Sequence, residues 1–139
     1  MAPIVDIEQS PALLEYLRAT QRIAPGETPV IRVLAGGVSN RTVLVECASG
    51  DSWVLKQALP KLRVPVDWFC SPDRILREAL GMRWLKSVAP EAITRLVFED
   101  PANYLFAMEA VPQPHENWKT ILLDGGVEDG SARQFGTLL

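Results

Sequence analysis

The run Trp53-Val54-Leu55-Lys56-Gln57-Ala58 decides how this chain is read. Strand alternation puts Val54, Lys56 and Ala58 on one face and Trp53, Leu55 and Gln57 on the other. Before it lies a short glycine loop, Gly36-Gly37-Val38-Ser39-Asn40, and after it a helical run that carries Glu78. Two glycines let a backbone approach a ligand closely and offer amides to phosphate oxygens. A strand lysine can grip the same phosphates, and a carboxylate from the next helix can hold that lysine in place. If Lys56 faces phosphates, Val54, one step back on the same face, covers an adenine ring.

Each feature also has a plainer reading. A lone strand lysine is a solvated lysine, and Gly-Gly alone is a tight hairpin turn. Glu78 sits beside Ile75, Ala79 and Met82, at the edge of an apolar helical stripe where an unpaired carboxylate is costly. Lys56 removes that cost if it reaches Glu78; Arg74, four residues earlier on the same helix, is the competing partner.

The flanking pattern sets the order of elements. Ser10-Pro11 offers an N-cap and a first-turn proline, and Leu13, Leu14 and Leu17 continue a helix to about residue 20. Strands are expected at 30–34, 42–48 and 53–58, with Val43, Val45 and Cys47 sharing one face and Ser49-Gly50-Asp51-Ser52 as a hairpin turn. Pro60 and Pro65 mark a loop. Ser71-Pro72 then opens a helix whose apolar stripe, Ile75, Ala79 and Met82, is widened by Leu76, Leu80 and Trp84, and which ends near Val88 before Pro90. Two further strands at 94–98 and 104–108 flank the turn Asp100-Pro101-Ala102-Asn103. Pro112 and Pro114 stiffen a linker, Trp118, Ile121 and Leu122 suggest a helix, and 132–139 reads as a last amphipathic piece after Gly125-Gly126. The expected class is α+β: a five-stranded antiparallel sheet with one packed helix, then a linker and helices.

Bulk properties exclude several functions. A length of 139 residues fits one domain with a real core. A net charge of -3 with scattered lysines and arginines leaves no footprint for nucleic acid. Cys47 and Cys70 are too few for a disulfide framework and too far apart for a metal clip, and read as reduced, partly buried thiols. The stretch Met1-Ala2-Pro3-Ile4-Val5-Asp6-Ile7-Glu8 has no basic region and no apolar core of signal-peptide length, and no apolar stretch approaches a membrane span. The expectation is a cytoplasmic protein without nucleic-acid or membrane partners.

At the end of the fifth strand, Met108-Glu109-Ala110-Val111 passes into the linker, where main-chain groups of Glu109 and Val111 could bond the adenine edge; a plain interdomain connector reads the same way. His115, the only histidine, is expected in solvent at a helix start. Glu99 with Asp100 and Glu128 with Asp129 lie beside turn residues and read as solvated pairs, with no spacing for a metal cage. Ile121, Leu122, Leu138 and Leu139 would form an apolar patch able to support a homo-oligomer.

The succession Gly-Gly-Val-Ser-Asn, Val-Leu-Lys-Gln, Asp73-Arg74 with Glu78, and Met-Glu-Ala resembles the amino-terminal lobe of the aminoglycoside phosphotransferase and choline kinase superfamily, small-molecule kinases on the protein-kinase fold. Lys56-Gln57-Ala58-Leu59-Pro60 with Arg63, then Trp68 and Asp73-Arg74, is closer still to methylthioribose kinase, whereas the glycine loop is closer to the broad superfamily. Asn117-Trp118-Lys119 with Leu122-Leu123 is similar to the first helix of the family's second lobe.

The resemblance implies a nucleotide-binding lobe over 1–111 and a linker with the beginning of a helical lobe over 112–139. It implies ATP with Mg²⁺ as cofactors and a small-molecule hydroxyl as acceptor. Gly36, Gly37, Val38, Ser39 and Asn40 would cover the nucleotide, Lys56 would hold phosphate with Glu78 as its helical partner, and Met108, Glu109 and Val111 would form the adenine hinge. The family's catalytic and metal-binding aspartates belong to its second lobe, and no His-x-Asp or Asp-x-Asp run occurs in these 139 residues. Weak ATP binding without turnover is therefore the expectation for the chain alone, which then works as a fragment or as a noncatalytic binding or interaction module.

Overall fold

A computed structural model describes residues 4–127 and 129–138. Its centre is a five-stranded antiparallel sheet in the order β1-β2-β3-β5-β4, built from β1 (Val30–Val33), β2 (Asn40–Glu46), β3 (Ser52–Ala58), β4 (Leu96–Asp100) and β5 (Leu105–Glu109). Hairpins join β1 to β2, β2 to β3 and β4 to β5, so each pair runs antiparallel. Helix α2 (Arg74–Val88) lies between β3 and β4 in sequence, which lets β5 insert beside β3.

Two helices cover the two faces. Helix α1 (Ser10–Ala19) turns Leu13 and Leu17 inward, where with Ile7 and Ile23 they pack on Val43, Val45, Leu55, Leu105 and Ala107. On the opposite face α2 lays Ile75 and Ala79 on Ala58 and Phe106, with Leu76 and Met82 alongside. One packed helix is expected from the sequence; the sheet has one on each side, because the alternating residues of β2, β3 and β5 leave both faces partly apolar.

Several expectations move. Ser10 is the first helical residue of α1 and not its cap, and Pro11 lies in the first turn as expected. At α2 the Ser71 hydroxyl accepts the Asp73 N–H at 3.3 Å, so the helix proper begins after the Ser-Pro pair. Leu80 and Trp84 do not widen the buried stripe: they are 59% and 65% exposed. At about 100° per residue they stand roughly half a turn from Ile75, Ala79 and Met82. The second strand starts and ends two residues early, since Cys47 N–H already bonds Asp51 O across the turn and Gly50 takes φ +97°. The fourth strand runs later than expected and carries a register shift between Leu96 and Phe98.

Past the sheet, α3 (Trp118–Leu123) is capped by the Asn117 side chain, which accepts the Lys119 N–H at 3.0 Å, and α4 (Asp129–Leu138) follows. Trp118 and Phe135 join the two helices with ring centroids 5.9 Å apart. Of the expected apolar patch, Leu122 is exposed and Ile121 half-buried, while Leu139 and the side chain of Leu138 lie outside the described residues, as does Glu128 of the expected carboxylate pair. His115 is exposed, but it precedes α3 by three residues, with Nδ1 3.2 Å from Pro112 O.

Candidate functional site

The pairing register places the candidate residues in two rows across one face of the sheet. Thr42, Lys56 and Phe106 stand abreast on β2, β3 and β5; one step along, Leu44, Val54 and Met108 do the same. The α2 end of this face is sealed by Ala58, Phe106, Ile75 and Ala79. Leu44, Val54 and Met108 are only half-buried, and Leu34 at the sheet edge is exposed. An apolar floor thus runs away from Lys56 on the side α2 leaves open.

Lys56 Nζ makes an ion pair and hydrogen bond with Glu78 Oε1, in the second turn of α2. The Lys56 and Glu78 side chains keep 23% and 37% exposure, and the ammonium lies 5.9 Å from the Phe106 ring centroid. An ion pair this accessible adds little stability, because water competes for both charges. Its effect is to hold a cation at one point above the sheet.

The competing partner for Glu78 is otherwise engaged. Arg74 turns its guanidinium from Glu78 to main-chain carbonyls: Nη2 donates to Ser39 O and to Leu59 O (2.9 Å), and Nη1 to Ser71 O (3.1 Å). Helical spacing alone offers this residue no more than an i, i+4 role. Only the fold shows that the glycine loop and the end of β3 converge on the start of α2.

The glycine loop connects β1 to β2 and folds over the same face. Gly36 has φ +100°, a conformation that side chains resist. At Gly37 an added Cβ would come within 3.1 Å of Asn40 O and 3.8 Å of Thr42 Oγ1, which places the loop against the row that holds Lys56. Two of the loop's carbonyls are committed: Val38 O accepts from Arg63 N–H (2.8 Å) and Ser39 O from Leu59 N–H (3.0 Å). Among the described residues, no protein acceptor takes the amides of Gly36, Gly37, Val38 or Ser39. The Asn40 side-chain oxygen is buried and lacks a protein donor.

The connector side is less complete. Glu109 N–H bonds Arg95 O at 2.9 Å and its carboxylate pairs with Arg95. Ala110 N–H bonds Ser52 O at 2.9 Å, and Val111 is exposed. The structure therefore gathers Gly37, Asn40, Val54, Lys56, Glu78 and Met108 around one face, with Val38 and Val111 at its exposed margins.

Two polar groups on the other side escaped the sequence reading. Gln57, buried beneath the segment that precedes α1, donates to Val5 O (2.6 Å) and Asn103 O (3.1 Å), tying the amino-terminal segment to the sheet. Asp100 is not a solvated turn residue: it accepts from Tyr16 Oη at 2.8 Å and from Asn103. Burial acts to raise its pKa, but the bonds from Asn103 and Tyr16 outweigh it and hold the carboxyl below the ordinary value. Glu99 likewise is engaged, by Arg83. Burial, with Glu27 and Asp51 nearby, pushes the half-buried Cys47 thiol up to about 11, while Cys70 is exposed.

Among the described residues, no cluster of three or more His, Cys, Asp or Glu side chains is arranged to hold a metal ion, and no helix is long and apolar enough to cross a membrane.

The sheet order with α2 packed behind a Lys–Glu pair defines the amino-terminal lobe of the kinase-like fold. The chain is similar to the crystal structure of the macrolide 2'-phosphotransferase MphH from Brachybacterium faecium, apoenzyme, with a TM-score of 0.51 and 22% identity. The match covers 76% of this chain and 31% of that protein, so the chain spans about a third of its length. No family model and no curated protein matches the sequence.

Proposed function

We propose that this chain is the nucleotide-binding lobe of a small-molecule kinase of the aminoglycoside phosphotransferase and choline kinase type, one that moves the ATP γ-phosphate to a hydroxyl of a small substrate. The observation that carries this reading is the Lys56–Glu78 pair, held beside a glycine loop with uncommitted amides and next to a half-open apolar floor. In it the adenine lies on Val54, Leu44 and Met108, the main-chain groups of Glu109 and Val111 meet its edge, and Lys56 receives the phosphates. The fold likeness to a macrolide 2'-phosphotransferase agrees with this class. A methylthioribose-like acceptor is a finer reading, supported only by the Lys56-Gln57-Ala58-Leu59-Pro60 run.

Residues 1–111 form the nucleotide lobe in this proposal and 112–139 lead into a second lobe, in a cytoplasmic protein. Among the described residues, no three carboxylates gather in a way that suits a magnesium ion. Transfer needs aspartates that these 139 residues do not supply in a family pattern. The test is titration with ATP followed by tryptophan fluorescence, alongside a coupled ADP-release assay. Weak saturable binding that Lys56→Ala removes, without turnover, is the expected result. Binding unaffected by that substitution ends the nucleotide reading, and turnover that it abolishes overturns the expected inactivity.

A second reading is favoured by the exposure of Leu122, Leu123 and Phe135 on α3 and α4: a noncatalytic module that dimerises through these helices. Sedimentation velocity over a range of concentrations separates the two, since a monomer at every concentration leaves dimerisation without support.

A further inference from the structure

We propose that Arg74 is a positioning residue that latches the glycine loop to helix α2 and so sets the distance between the loop amides and the Lys56 ammonium. Its consequence for ligand affinity rests on the nucleotide reading above; the latch itself does not.

The geometry is a closed knot. Ser39 O receives both the Arg74 guanidinium and the Leu59 N–H, and Leu59 O returns to the same guanidinium at 2.9 Å. The other guanidinium nitrogen donates to Ser71 O at 3.1 Å and approaches Cys70 O at 3.4 Å, so one planar cation spans the loop, the end of β3 and the turn that opens α2. A planar fork of fixed donors suits this task, and a single ammonium cannot reproduce it. A second clasp, Arg63 N–H to Val38 O, holds the other side of the loop tip.

Arg74 and Glu78 lie one turn apart on α2, so the helix carries both contacts as a rigid bar: Glu78 places the lysine and Arg74 places the loop. A glycine loop has little side-chain packing of its own to define its height. The charge-assisted bond from Arg74 to Ser39 O, with the Arg63 N–H on Val38 O, supplies that definition and leaves the loop amides available.

The experiment compares wild type, Arg74→Met and Arg74→Lys by residue-resolved amide hydrogen exchange, with ATP and adenosine affinities measured in parallel. In Arg74→Met, the Leu59 and Arg63 amides should exchange at least about tenfold faster while the β3–β5 ladder amides keep their protection. Arg74→Lys, which can reach one carbonyl but not fork, should fall between. ATP affinity should drop about tenfold with adenosine affinity unchanged, because the loop acts on the phosphates. Equal acceleration across the ladder, or no change at Leu59 and Arg63, overturns the latch and leaves Arg74 a helix-end residue. If wild type binds no ATP, the nucleotide reading fails, and the exchange pattern still decides whether the latch exists.

Discussion

The two faces of the sheet are built from the same strands and treated in opposite ways. Under α1 and the amino-terminal segment, Ile7, Leu13, Leu17, Val43, Val45, Leu55, Leu105 and Ala107 are fully buried, and the polar groups there, Gln57 and Asp100, bond to other parts of the protein. Under α2 only the half near Ala58 and Phe106 is sealed; the rest holds an accessible ion pair, half-buried apolar side chains and a loop with unused amides. A closed face maximises area removed from water, whereas a half-covered face keeps room for a ligand. Neighbouring residues on β3 therefore have different work to do.

The sharpest way to break this contrast is to substitute adjacent positions. Leu55→Ala, on the closed face, should cost about 3 kcal/mol in urea denaturation, from lost burial plus the cavity left behind. Lys56→Ala, one residue on, should cost less than about 1 kcal/mol, since its ion pair is exposed to water. Similar losses for both would mean that the two faces are equally structural.

A smaller effect probes how the closed face is tied down. Tyr16→Phe removes the bond to Asp100 and should destabilise by about 1.5 kcal/mol at neutral pH, as for a hydrogen bond to a charged group. The Asp100 carboxyl is held below its ordinary value of 3.8, so its contribution is complete above that pH and is lost as pH falls through the lower folded-state value. The gap between wild type and Tyr16→Phe, followed by denaturation from pH 7 downward, should narrow below about pH 3.8. A constant gap would show that Asp100 is not the partner that matters.

The smallest effect is expected on the outer side of α2. Leu80→Gln combined with Trp84→Gln should change stability by no more than about 0.5 kcal/mol, because both side chains are largely exposed. A larger loss by thermal unfolding would place these side chains in a packed interface, and α2 would then be closed on both sides.

Much of this was legible in the chain. Alternation along Trp53-Val54-Leu55-Lys56-Gln57-Ala58 sorts the two faces correctly, Ile75 and Ala79 mark the buried stripe of α2, and Glu78 reaches Lys56 in preference to Arg74. What escaped are contacts between segments far apart in sequence: Arg74 with Ser39, Gln57 with Val5, and Tyr16 with Asp100. Periodicity reports which side of an element is apolar, not which distant carbonyl lies within reach of a polar side chain. Leu80 and Trp84 show the complementary limit: hydrophobic identity does not imply burial, and their angle on the helix points them outward.

By itself, the order of residues determined the sequence of strands and helices, the alternation of β3 and the apolar stripe of α2, because these follow from spacings of two and about 3.6 residues. Only the tertiary structure decided that both faces carry a helix, that one of them stays half open, and that Arg74 ties the glycine loop to α2. Those outcomes depend on how packed elements bring remote backbone groups within hydrogen-bonding distance, a property of three-dimensional closure that no local period encodes.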